Sequence, residues 1–536
     1  MHNVRSFYAP ALLAVAILLS FYRLGSVSLF DVDEAVFAEA TKEMVLSGDW
    51  ITPTYNGANR YDKPILFYWL MAASYHIFGM NEFGARFPSA FTGALLSLSI
   101  FFFLRRYAGR ETALHAALSF VLSLYFFVYS HAAVTDMVLT LLITLSLFSF
   151  FLSLSRTGDA AGKAHRYLYG FYLFSALAFL TKGLIGIVFP FCIAAAYMVI
   201  TRGPKGIRKL LNAKATVLFL LVSGPWYLAE FAVNGRDFFD QFFMKHHFMR
   251  YTGVISGHRG PFFYYIPALI IGLFPWIVYL PAGIRDALRG DRVRAVSADS
   301  AGRSSGEMPL GLFALVWLGL IFVFFSFSTT KLPNYILPAV PAASILIGYG
   351  MAGHLPRWNR YAQGAMSVVA LLAGAAFIAS RGYLHTFGVS DTGWTSAAAV
   401  LMFSLAAVSA YASVRNRRPH GYIAALLIAF FLLLSVRVLP LANRKLQGTL
   451  HDFSLAAKER LGRGGTLITF GINNPSIVFY SDHMVEKVDN LDELLRLPGG
   501  QGKTLLIARA RDTEILEASG FNVLSKGEKY ALFEKK

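Results

Sequence analysis

The chain has 536 residues, 56% of them hydrophobic and only 15% charged, with a mean hydropathy of +0.51. A single soluble domain is excluded, because repeated apolar runs of about 20 residues are long enough to cross a bilayer. The formal net charge of +18 does not mark a nucleic-acid binder: Lys and Arg gather in short loops between apolar runs, as at Arg105, Arg106 and Arg110 or Arg415, Arg417 and Arg418, which is the positive-inside pattern of a polytopic membrane protein.

In chain order, the alternation of basic loops with acidic and aromatic ones predicts about thirteen transmembrane helices. They begin near residues 8, 88, 111, 134, 167, 183, 214, 262, 309, 334, 363, 395 and 421. An odd number puts the N-terminus in the cytoplasm and the C-terminus outside. Residues 9–20 lack a small-residue cleavage pattern after them and read as an uncleaved first span. The first outer loop, residues 26–88, is long. It opens on Asp31-Val32-Asp33-Glu34, a group of carboxylates at a bilayer surface that anchoring alone does not require. Two helices lying on the membrane are expected within it, at residues 35–47, ended by Gly48, and at residues 65–78. Between them stands Tyr61-Asp62-Lys63-Pro64.

Later spans bring further polar residues to the outer face. Asp136 closes His131-Ala-Ala-Val-Thr-Asp136, Lys182 stands in Thr181-Lys182-Gly183, and Lys331 and Tyr335 belong to one stretch, Lys331-Leu-Pro-Asn-Tyr335. The outer loop between Glu230 and Pro261 adds Lys245, His246, His247, Arg250, His258 and Arg259. Cys192 is the only cysteine, so neither an intrachain disulfide nor a cysteine-based zinc site can form. From residue 441 onward the composition becomes that of a soluble domain. An amphipathic segment at 451–461 leads to strand-like 466–470, helical 491–497, strand-like 504–508, helical 513–519 and a last strand near 530–533, which together make a small α/β unit. Its paired glycines read as turns, since no phosphate-binding fingerprint surrounds them.

Acids and bases thus meet on one side of the membrane, where Lys and Arg could hold an anionic lipid headgroup and a carboxylate could orient or deprotonate an acceptor. Plainer readings stand beside this one. Lys182 or Lys331 at a span end could snorkel to the interface. Asp136 could pair with a lysine for neutrality, and Asp33 and Glu34 could favour a helix N-terminus. Asp62, His246 and His247 are the candidates for a divalent metal site, although histidines in a polar loop are more often solvated. A transporter would place its ionisable groups near the bilayer midplane on broken helices, whereas this chain puts them in outer loops and at span ends.

The succession Asp31-Val32-Asp33-Glu34-Ala35, Tyr61-Asp62-Lys63-Pro64, His131-Ala-Ala-Val-Thr-Asp136, Thr181-Lys182-Gly183, Lys245-His246-His247-Phe-Met-Arg250, Gly257-His258-Arg259-Gly260-Pro261 and Lys331-Leu-Pro-Asn-Tyr335-Ile-Leu-Pro338 resembles the bacterial lipid A aminoarabinose transferases and the related protein O-mannosyltransferase-like enzymes. These belong to the C-type glycosyltransferase superfamily. The resemblance runs over nearly the whole chain. It implies a mainly α membrane domain at residues 1–440, with the outer catalytic loop 26–88, and a periplasmic α/β domain at residues 441–536, in the bacterial inner membrane. It also implies a polyprenyl-phosphate sugar as donor, and lipid A or a related surface glycolipid as acceptor. Asp33 would be the principal catalytic carboxylate with Glu34 beside it. Lys63, Arg250 and Tyr335 would hold the donor phosphate, Asp136 and Lys182 would complete the polar floor, and Asp62, Arg259 and Lys331 would join the substrate-binding set. The chain departs from the family at Asp62, where Glu is usual, and at Lys245-His246-His247, where Glu-His is usual, which leaves metal and sugar open.

The chemistry of such a donor sets the demands on the site. The leaving group departs as a phosphate anion, so cations such as Lys63 and Arg250 must stabilise growing charge. In-line attack inverts the anomeric carbon through a transition state with cationic sugar character, which a carboxylate such as Asp33 stabilises. Transfer to protein Ser or Thr is the alternative within the same enzyme class.

Overall fold

A computed structural model describes residues 8–154, 164–242, 260–289, 309–353, 356–386, 389–462, 464–497 and 502–536. Among them, nine helices are long and apolar enough to cross a membrane, or up to eleven if two bent pairs each count as one span. The pairs are Arg110–Val121 with Leu124–Ser130, bent by 57°, and Phe262–Gly272 with Trp276–Arg289, bent by 107°. Helix α1 (Tyr8–Phe21) has 14 described residues and is not among these. The helix Ala164–Lys182 carries His165 and Arg166 near one end and Lys182 at the other, and falls outside the apolar set.

The first outer loop folds into the two expected short helices. Helix α2 (Asp33–Ser47) begins with Asp33 and Glu34 in its first turn, where carboxylates meet the positive end of the helix dipole. It stops at Gly48, whose φ of 75° is the left-handed conformation that lets the chain leave a helix. Helix α3 (Leu66–Phe78) follows. The two pack through Phe37, whose ring lies edge-on to Phe67 at 5.3 Å and near Tyr68 at 5.4 Å. Helix α4 (Glu82–Tyr107) is capped by Asn81, whose side-chain oxygen accepts from the Gly84 N–H at 2.9 Å.

The compositional change near residue 441 falls inside one helix: His420–Leu461 runs 42 residues without a break. At 1.5 Å per residue it extends about 60 Å, longer than a bilayer's hydrocarbon core, and leads into the terminal α/β unit, the outer unit of the sequence reading. There a sheet of five strands has the order β4-β3-β5-β7-β6, numbered after the two-residue pair β1 (Thr54–Tyr55) and β2 (Ala58–Asn59) of the first loop. Strands β3 (Thr466–Phe470), β4 (Val485–Val488) and β5 (Thr504–Arg509) are parallel, and β6 (Phe521–Lys526) and β7 (Tyr530–Lys535) complete the sheet in antiparallel pairs. Side chains alternate between two apolar layers. Leu467, Leu505, Ile507 and Leu532 face one layer; Ile468, Leu506, Ala508 and Phe533 face the other. Two strands and the helix Pro475–Ser481 were not expected. Strand β4 has only four residues with polar Glu486 and Lys487 at its centre, and β6 is an edge strand, so neither shows a long apolar signature.

Candidate functional site

The Asp31-Val32-Asp33-Glu34 carboxylates diverge. Glu34 is buried and saturated: Arg86 donates to both its oxygens at 2.9 Å, the Phe30 N–H donates at 2.9 Å and the Ala133 N–H at 2.7 Å. Arg86 is 1% exposed. Its remaining N–H groups donate to the carbonyls of Leu24, Val27 and Ser28, so that all five have acceptors. Sequence reasoning placed Glu34 beside Asp33 as a catalytic group, yet its four bonds leave no lone pair for a substrate. Arg86 itself was not anticipated; the available signal was a lone Arg two residues before Pro88 at the start of an apolar run.

Asp31 turns toward the outer unit. Its Oδ1 accepts from the Ser476 N–H at 2.8 Å, and its Oδ2 from the Ser476 hydroxyl at 2.6 Å and the Asn474 amide at 3.1 Å. Burial pushes the Asp31 carboxyl above its usual range, against the pull of these donors. Asp33, between the two, is exposed and accepts no hydrogen bond from a described residue. Arg60 and Tyr129 are both within electrostatic reach of it.

Arg60 is a second unanticipated cation. Its Nη2 pairs with Asp62 Oδ2 at 2.9 Å, its Nε donates to the Tyr68 hydroxyl at 3.2 Å, and its guanidinium lies 5.6 Å from the Phe37 ring centre. Lys63 Nζ donates to the backbone carbonyl of Asp62 at 2.9 Å. Asp62, Lys63 and Arg60 therefore form one group beside α2.

A third group joins distant spans. Lys182 pairs with Asp136 Oδ1 at 2.7 Å, the Asn334 amide donates to the same oxygen at 3.2 Å, and Lys182 Nζ stands 5.8 Å from the Tyr335 ring centre. Tyr129 is in electrostatic reach of Asp136 as well as Asp33. It also lines a cavity of about 430 Å³, walled by Tyr125, Tyr264, Pro267, Ile271 and Pro333 and almost wholly apolar. A cavity of that character next to charged side chains suits an amphiphile with an apolar tail and a polar head.

Lys331 does not join this group through its charge. It is 5% exposed, and its Nζ donates to the carbonyls of Phe325, Ser326 and Ser328 at 3.1, 2.8 and 2.8 Å. Its three donors thus close the C-terminal end of the helix Leu310–Phe327. Arg250, Arg259, His246 and His247 lie outside the described residues. Among the described residues, no three His, Cys, Asp or Glu side chains come together as a metal-binding group.

Residues 62–228 match the family model described as dolichyl-phosphate-mannose-protein mannosyltransferase. The chain is 30% identical over 427 residues to the undecaprenyl phosphate-alpha-4-amino-4-deoxy-L-arabinose arabinosyl transferase of Pectobacterium carotovorum, covering 78% of this chain and 73% of the relative. With the protein of the same description in Edwardsiella ictaluri it shares 32% identity over 323 residues, which is 60% of this chain and 55% of that relative's length. The crystal structure of ArnT from Cupriavidus metallidurans bound to undecaprenyl phosphate superimposes with a TM-score of 0.81 at 25% identity, covering 99% of this chain and 98% of that one.

Proposed function

Because the chain belongs to the undecaprenyl phosphate-alpha-4-amino-4-deoxy-L-arabinose arabinosyl transferase family, we propose that it is an inverting membrane glycosyltransferase. In this reading it moves 4-amino-4-deoxy-L-arabinose from undecaprenyl phosphate to lipid A or a related outer-leaflet glycolipid. The observation that carries the reading is Asp33: an exposed carboxylate that accepts no hydrogen bond from a described residue, between two clamped neighbours and in electrostatic reach of Tyr129, which lines an apolar cavity and also reaches the Asp136–Lys182 pair. The cavity would take part of the polyprenyl chain. Lys63 and Tyr335, with Arg250 from outside the described residues, would hold its phosphate.

In the transfer step the bond between the anomeric carbon and the phosphate oxygen breaks, and undecaprenyl phosphate leaves with the electron pair. An acceptor oxygen forms the new bond on the opposite face of the sugar. Lys63 stabilises the charge growing on the phosphate, and Asp33 stabilises the cationic sugar. With a hydroxyl acceptor, Asp33 also takes the proton; with a lipid A phosphate the nucleophile is already ionised and Asp33 orients the sugar. Glu34 holds its neighbours in place and does no chemistry. A divalent ion held by Asp62, His246 and His247 would add positive charge beside the phosphate, and no step depends on it. The N-terminus lies in the cytoplasm and the α/β unit of residues 441–536 in the periplasm, as the basic loops require.

Transfer to protein Ser or Thr is the second reading, favoured by the family model over residues 62–228. Purified enzyme with undecaprenyl-phosphate sugars and either lipid A or a Ser/Thr peptide, read by mass, separates the two. Modified lipid A is expected, and a glycosylated peptide would select the alternative. Asp33→Asn should lower kcat by about 100-fold or more while the protein stays folded. Near-normal turnover would remove Asp33 from the mechanism.

A further inference from the structure

The outer unit grips the first loop on the N-terminal side of Asp33 at three of the four residues 28–31. Asn443 donates its amide to the Ser28 carbonyl at 2.8 Å and accepts the Ser28 hydroxyl at 2.9 Å. The Leu29 N–H donates to the Tyr480 hydroxyl at 2.8 Å, and Tyr480 donates onward to Glu82 at 2.8 Å. Asp31 receives Ser476 and Asn474 as described, and the Gln447 amide, turned to match its neighbours, donates to Asp31 Oδ2 at 3.0 Å and accepts the Asp31 N–H at 2.9 Å. Further along α2, Lys42 donates to the Phe479 carbonyl at 3.1 Å and pairs with Asp482 at 2.5 Å.

Asp31 is therefore a carboxylate occupied on both oxygens by a unit that contributes no residue to the group around Asp33. Folding stability alone would be served by apolar contact, and a buried carboxylate is costly unless every donor is in place. The spacing matters. Only Val32 separates Asp31 from Asp33, and Glu34, the next residue, is fixed by Arg86. Any displacement of Asp31 must turn the first residue of α2, because the opposite end of this short segment cannot follow.

We infer that the segment from Asn474 to Tyr480 of the outer unit is a positioning element for sugar transfer: by holding Asp31 it sets where the Asp33 carboxylate stands against the anomeric carbon. This rests on the role of Asp33 given above. Asn474, Ser476 and Asp31 touch no substrate in this scheme and act only through the neighbouring residue. Since misplacement of a reacting group by about 1 Å can cost 100-fold, loss of part of the grip should appear in kcat.

The test uses the full-length enzyme in nanodiscs with Asn474→Ala and Ser476→Ala made separately, and the undecaprenyl-phosphate sugar as substrate. Each variant should lose about 10- to 100-fold in kcat with KM for the donor within about twofold. Hydrogen exchange over residues 28–36 should quicken, while exchange in the sheet strands stays at the wild-type rate. Wild-type kcat in both variants, with Asp33→Asn inactive, would overturn the positioning role alone. Turnover by Asp33→Asn would overturn both this inference and the reading it rests on. Unchanged exchange over residues 28–36 would overturn it whatever the activity, and a loss confined to KM would reassign the segment to donor binding.

Discussion

Residues 28–31 and residue 34 flank the same carboxylate, yet they are held by opposite means. On the membrane-bundle side one ion pair, Glu34 with Arg86, is buried with every donor and acceptor matched. On the outer side several mostly neutral bonds from Asn443, Asn474, Ser476 and Tyr480 share the load. The difference follows from charge, since both sides are buried. An unmatched buried charge is so unfavourable that the pair is all or nothing, whereas neutral bonds cost less each and can be lost one at a time. The bundle side is therefore a fixed point, and the outer side is the one that mutation can adjust in small steps.

The sharpest way to break the contrast is Arg86→Met. It strips Glu34 of its partner and leaves the Leu24 and Val27 carbonyls without donors, while Ser28 keeps Asn443, so a loss of about 3–5 kcal/mol is expected, enough to abolish folded protein in detergent. Yield and melting temperature in nanodiscs measure it, and a variant as stable as wild type would break the contrast.

A smaller effect tests the outer contact by pH. Glu39 is 5% exposed and pairs with Lys42 at 3.2 Å, but burial outweighs that partner and lifts its carboxyl to about 7 from an ordinary 4.5. The folded state therefore holds a proton that the unfolded state releases. Stability should fall as pH rises from 4.5 to 7, by up to about 3 kcal/mol, and level off above 7. Glu39→Gln should remove that slope from the melting temperature measured across pH 4 to 8; the same slope in the variant would assign it to another group.

Tyr480→Phe should cost least, about 1–3 kcal/mol, because it leaves the buried Leu29 N–H without an acceptor while the neighbouring bonds persist. Chemical denaturation of the variant beside wild type reads the difference. A loss as large as that of Arg86→Met would erase the distinction between the two sides.

Much of the candidate site was legible because its residues announce themselves as charges in an apolar chain. Asp33, Lys63, Asp136 and Lys182 stand out as ionisable groups beside or within apolar spans, and Gly48 marks the end of α2 because glycine takes its backbone angle without strain. Arg60 and Arg86 were passed over. Each looks like one more loop cation, and only their partners, Asp62 and Tyr68 for one and Glu34 for the other, separate them from the basic residues that set topology.

The sequence by itself determined that this is a polytopic membrane protein with an acidic first loop and a terminal α/β unit, since hydropathy, charge alternation and strand periodicity are local properties. Which carboxylate is left available was decided only by the tertiary structure. Asp31, Asp33 and Glu34 are chemically alike and nearly adjacent, and what distinguishes them is contact with Ser476, 445 positions away, and with Arg86, 52 positions away.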